Sequence, residues 1–162
     1  MCDYCGCLAN DFIATLSDEH VAIGLAARDL ALAAESGVAT AIRSTAQALV
    51  GLLAPHTQRE EGVLFPELAA AGAAAHTAEL EADPAALDTA FIAIARGEEG
   101  ALDGLPAALE RLRAHIWRED HDVFPAAVQL LDSAAWVRVA DHDHVDHDHA
   151  DHDHAEHHHA AA

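Results

Sequence analysis

An eleven-residue stretch that occurs twice sets the terms for this fold. The first copy runs from His56 to Pro66 and the second from His115 to Pro125. Six positions agree in identity or charge: His56 with His115, Arg59 with Arg118, Glu60 with Glu119, Glu61 with Asp120, Phe65 with Phe124 and Pro66 with Pro125. The sequence between the copies has drifted, so the retained positions carry the information. Both copies lie in Ala- and Leu-rich sequence of helical character. On a helix, residues four apart share a face, so each copy presents an imidazole beside a carboxylate. A single His-x-x-x-Glu is usually a solvated pair. Two copies in one framework, with the apolar positions also repeated, point instead to two His and two Glu brought around one point, which is a metal constellation.

The rest of the chain suits that reading. Its 162 residues are enough for one domain with a real core. Hydrophobic residues make up 52 % of the chain, mostly Ala and Leu, and aromatics only 4 %. Gly and Pro are sparse and β-branched runs are missing, which predicts an all-α protein. The formal charge of −20, with eight Arg and no Lys, argues against nucleic acid and against anionic membrane surfaces as partners. No apolar run reaches the roughly 20 residues of a membrane span. The start, Met1 to Cys7, lacks the basic and apolar regions of a signal peptide, so a cytoplasmic location is expected.

Along the chain, Cys2, Cys5 and Cys7 form an arm over residues 1–9. Their spacing suits a soft metal or redox chemistry, or has no role. Helix one is expected from Asp11 or Ser17 to Glu35, with Ser17 a good cap. His20 falls on its apolar stripe with Ile13, Leu16, Ile23 and Leu30, where a lone His is more often a core residue than a ligand. Helix two spans roughly residues 39–70, and Pro55 is expected to kink it. Helix three runs from about Ala73 to Arg96, with a break or restart at Asp83-Pro84. Helix four covers about residues 103–131, and a short fifth helix runs from Ser133 to about Ala140. Helices one and two resemble three and four, so an up-down-up-down four-helix bundle over residues 10–140 is the simplest product. Residues 141–162 repeat Asp-His-Asp-His with nine of the fourteen His. This tail is too polar to fold alone and suits weak zinc or nickel binding.

In such a bundle His56, Glu60, His115 and Glu119 can meet in the core, joined by His20. Mixed imidazole and carboxylate donors suit iron or manganese. Glu61 and Asp120 are placed to accept from imidazole N–H groups or to be solvated, and Arg59 and Arg118 to balance the acidity.

The order of these residues resembles the hemerythrin-like, or HHE cation-binding, proteins. The match is a His near the start of helix one, then His-x-x-x-Glu-Glu with Phe-Pro, then His-x-x-x-Glu with Phe-Pro again, over roughly residues 10 to 131. The Met-Cys-Asp-Tyr-Cys-Gly-Cys start looks like one bacterial subgroup of that family. The resemblance implies a four-helix bundle around two non-heme iron ions that binds dioxygen, nitric oxide or a similar small ligand. Carried over by position, the ligands are His20, His56, Glu60, His115 and Glu119, the two Glu bridging. The family expects a further His on helix three, where this chain has Pro84. His76 is the imidazole on that predicted helix, and His76, Asp83 or water is left to fill the place. Binding or sensing is favoured over catalysis, because no separate general acid or electron-transfer motif stands out. The alternatives are a di-iron enzyme or repair factor acting on peroxide or nitric oxide, and a metal storage or delivery protein using the tail.

Overall fold

A computed structural model describes residues 7–78, 80 and 83–152, and they are helical wherever they are regular. Helix α1, Asp11–Ser36, is capped by Asn10, whose side chain accepts the Ile13 N–H at 3.2 Å. Asn10 therefore starts the helix, and Ser17, expected as a possible cap, is buried inside it. The helix stops at Gly37, whose φ of 67° lies in the left-handed region that glycine enters without penalty.

Helix α2, Ala39–Arg59, passes through Pro55 and runs on into a π-helical turn, Glu60–Leu64, and then α3, Phe65–Ala70. The second repeat is built alike: α5, Leu105–Arg118, a π turn at Glu119–Val123, and α6, Phe124–Leu130. In both copies the Phe N–H donates to the carbonyl five residues back, at Glu60 and at Glu119. The repeated Phe-Pro explains the wide turn. Proline has no N–H to give and its ring crowds the carbonyl four residues back, so the helix widens before it and restarts with Pro in the first turn.

Helix α4 spans Asp83–Arg96. It begins ten residues later than the expected start near Ala73. The intervening chain forms a 3-10 turn at Ala74–His76, and Pro84 is tolerated because it falls in the first turn of α4. Helix α7, Ser133–His152, is capped by Asp132, whose Oδ1 accepts the Ala135 N–H at 2.8 Å. It extends past the expected end near Ala140 into the segment expected to have no structure. Once a helix is nucleated, each further residue adds a hydrogen bond at little cost, and polarity alone does not stop it. Cys2, Cys5 and residues 153–162 lie outside the described residues.

α1 packs on α2, α2 on α4, α4 on α5 and α5 on α1, so the four close a ring. Two apolar clusters fill it. One gathers Ile13, Leu16, Leu64, Phe65, Leu68 and Phe124, with Trp136 of α7 against it. The other gathers Ile23, Leu30, Leu49, Leu53, Phe91 and Leu112. Along α1, His20 falls between Leu16 and Ile23; along the first repeat, His56 and Glu60 fall between Leu53 and Leu64. A polar layer thus crosses the bundle between two greasy halves. Among the described residues no helix is long and apolar enough to cross a membrane.

Candidate metal centre

The polar layer consists of His20, His56, Glu60, His115 and Glu119, all buried, with Glu119 fully sealed from solvent. Burying two carboxylates in an apolar interior is costly unless something offsets their charge. His20 comes from α1, His56 from the last turn of α2, and His115 from the last turn of α5. Glu60 and Glu119 are the first residues of the two π turns.

One donor atom from each of His20, His56, Glu60 and Glu119 lies within 4.8 Å of every other. His20 Nε2 is 3.1 Å from His56 Nε2, 3.2 Å from Glu119 Oε2 and 4.0 Å from Glu60 Oε1. His56 Nε2 is 3.3 Å from Glu60 Oε2. His115 joins from the other side of Glu119, its Nε2 2.9 Å from Oε1. Neither Glu60 Oε1 nor either Glu119 oxygen receives an aligned hydrogen bond among the described residues. Buried oxygens in that condition, facing imidazole nitrogens, fit a cation.

The other nitrogens of the two central imidazoles are anchored outward. His20 Nδ1–H donates to Asp120 Oδ1 at 3.0 Å, and His56 Nδ1–H donates to Glu19 Oε2 at 3.0 Å. A carboxylate at Nδ1 fixes the tautomer and aims the Nε2 lone pair into the layer. Glu19 is itself held by Arg59. The expectation for Asp120 holds geometrically. Glu61 is exposed, and Glu19 takes the place it was offered for. His20 also stacks on Phe124 of the repeat, with ring centroids 5.3 Å apart and planes 12° from parallel.

The protonation pattern follows from these contacts. Burial works against a charged His20, but Asp120 and then Glu119 outweigh it and lift its pKa to about 9. His56 is pushed down to about 3, by burial first and then by the charge of His20. Burial and the neighbouring Glu119 push the Glu60 carboxyl well up. Burial also opposes the charge on Glu119, yet the adjacent His115 and His20 imidazoles hold its carboxyl below the ordinary range. A cation entering this layer therefore displaces protons, chiefly from His20 and Glu60.

Beside the layer lies a cavity of about 10 Å³ lined by His56, His115, Thr57, Asp88 and aliphatic side chains of α1, α2, α4 and α5. That is room for about one water-sized molecule.

His76, offered as a stand-in for the missing helix-three ligand, does not reach the layer. It sits on the 3-10 turn with its side chain 37 % exposed, and its Nδ1 is 2.9 Å from Asp122 Oδ1. The late start of α4 leaves it outside the bundle core. Asp83 lies in the first turn of α4, and its side chain is outside the described residues. Glu19 and Asp88 went unremarked in the sequence. Asp88 had only its position beside the apolar stripe of Leu87, Phe91 and Ile94, and Glu19 only its position beside His20.

Searches of curated proteins and of solved structures find no match to this chain. A family model, the hemerythrin HHE cation binding domain, matches residues 11–127. That span begins with α1 and takes in both repeats and every residue of the buried layer. A doubled His-x-x-x-Glu joined by a His from α1 and sealed in a helical bundle fits a cation-binding domain. The chain belongs to the hemerythrin HHE cation-binding family.

Proposed function

We propose that the layer holds two iron ions and that the protein binds or senses dioxygen, nitric oxide or a ligand of similar size. The observation that carries this reading is the pair of buried carboxylates, Glu60 and Glu119, lying between three buried imidazoles without aligned donors of their own. His20, His56, Glu60, His115 and Glu119 are the residues that would hold the two ions, with Glu60 and Glu119 the candidates to be shared between them. The two-residue link between α1 and α2 and the repetition of the helical hairpin favour an up-down-up-down order, and we place the protein in the cytoplasm.

Bound iron would supply an open coordination position and the electrons that hold a diatomic ligand. The protein supplies the rest. Asp120 and Glu19 keep two imidazoles in the required tautomer and orientation. Aliphatic side chains around the small cavity exclude bulk water, which strengthens every charge interaction inside. Mixed nitrogen and oxygen donors favour iron over the thiolate-rich sites typical of structural zinc.

The test is addition of nitric oxide or dioxygen to anaerobically iron-loaded protein. A new visible absorption band that disappears when the gas is removed supports binding. Sustained turnover of peroxide or nitric oxide with a reductant would move the assignment to an enzyme. No spectral response to either gas would contradict the reading.

A further inference from the structure

The buried layer is lopsided. Four donors crowd one position, and they come from α1, α2 and the two π turns. On the far side of Glu119 stands His115, from the same helical rod as Glu119 itself. Helix α4 completes the ring of the bundle, and among the described residues it contributes no donor to either group. Residue 84, where the resemblance expects an imidazole, is proline, which has no donor atom to offer.

We propose that Asp88 is the donor from α4, ligating the second cation beside His115. Three observations carry it, together with the reading of the layer as a two-cation site, on which it rests. The small cavity that reaches His56 and His115 has Asp88 as its only carboxylate. Residues 84 and 88 lie one turn apart on α4 and so share a face, the face on which the resemblance implies an imidazole. Asp88 borders the core stripe of α4, next to buried Leu87 and Phe91.

A carboxylate in such a place is expected to have a partner. Among the described residues Asp88 makes no hydrogen bond and no ion pair, and burial pushes its carboxyl above the ordinary range. Half-buried at the edge of the cavity, it can swing toward a cation without repacking the helix. A carboxylate in place of an imidazole would also make this position harder and more oxygen-rich than its neighbour, which favours iron or manganese there over softer metals.

Full-length protein and the variants Asp88→Asn, Asp88→Glu and Asp88→Asn with Pro84→His are loaded anaerobically with ferrous iron, freed of excess metal, and assayed for iron per chain and for release to a ferrous chelator. Circular dichroism confirms that each is folded. Wild type is expected to hold about two irons and Asp88→Asn about one, because a position stripped of a charged donor does not survive removal of excess metal. Any second iron that remains should leave at least about tenfold faster, the low end of the loss seen when even an outer hydrogen-bond partner is removed. Asp88→Glu should retain part of the second iron. Pro84→His should restore it in the Asp88→Asn background, an outcome that a purely structural role for Asp88 does not produce. Two irons released from Asp88→Asn at the wild-type rate would overturn the proposal and leave the two-cation reading intact, as would loss of both irons from a folded Asp88→Asn. A wild type that takes up no iron would instead overturn the two-cation reading itself, and this proposal with it.

Discussion

Replacing Asp120 by Asn tests how the protein tunes its central imidazole. Asparagine keeps an acceptor near His20 Nδ1, now at 3.0 Å from a carboxylate, and removes the charge. His20 stands at about 9 against an ordinary 6.5, a difference worth about 3 kcal/mol at about 1.4 kcal/mol per pH unit. With its side chain only 3 % exposed, water screens little of this. Asp120 is the first of the groups that raise it, ahead of Glu119, and neutralising it is expected to lower the His20 pKa by about one pH unit. A proton on His20 carries one charge and a divalent cation two. The same carboxylate that holds the proton by about one log unit should hold the cation by about two. At about pH 7 wild type must also displace a proton held about 100-fold, and the variant one held about tenfold. The net loss of divalent-metal affinity at neutral pH is therefore about tenfold, growing to about 100-fold above pH 9, where no proton competes. The assays are a histidine NMR titration of metal-free protein, and cobalt(II) titrations followed by visible absorption at both pH values. An unchanged His20 titration would refute the reasoning, and so would an affinity loss that shrinks as pH rises.

Further expectations follow from the same contacts. In metal-free protein the raised pKa of His20 contributes stability that is fully present below pH 6.5 and lost as pH rises through about 9; the raised carboxyl of Glu60 acts in the same sense. His56, depressed to about 3, acts oppositely: its contribution is present above pH 6.5 and lost as pH falls toward 3. Thermal melts of metal-free protein should thus fall between about pH 6.5 and pH 9 while those of metal-loaded protein hold steady, and parallel curves for the two forms would contradict this. Phe124→Ala removes a buried ring stacked on His20; denaturant melts should show a loss of about 3–5 kcal/mol together with weaker metal binding. Removing residues 141–162 should abolish several weak zinc or nickel equivalents and leave the iron unchanged, and equal zinc titrations of the full and shortened chains would deny the tail a metal role.

Much of the site was legible because its chemistry is written in spacing. His56 with Glu60 and His115 with Glu119 are neighbours on any helix, and the duplication said that they belong together. His20 was marked by standing alone on an apolar stripe. What stayed hidden depends on geometry that spacing does not encode. The π turns put Glu60 and Glu119 at the start of a widened helix, and only the repeated Phe-Pro hinted at them. Glu19 and Asp120 occupy different places in the two halves; of the two acids left open as imidazole anchors or solvated, Asp120 meets His20 while Glu61 is exposed. The α4 side failed because a helix was drawn through His76 that the chain does not begin until Asp83. His76 was then one of three candidates for the open place, whereas it lies at the rim with Asp122. The bundle itself followed from composition and from the resemblance of helices one and two to three and four. The helical reach of α7 to His152 did not, since a polar repeat alone gives no reason to order it.

The central claim is that the buried layer is a site for two iron ions. Elemental analysis of anaerobically purified protein, alongside His56→Ala, His115→Ala and the double variant, tests it most directly. We predict about two irons per chain in wild type, sharply less in each single variant, and none in the double variant, with lowered thermal stability as the unbalanced carboxylates repel. Full iron content in the double variant, or wild-type protein that takes up zinc and no iron, would contradict it.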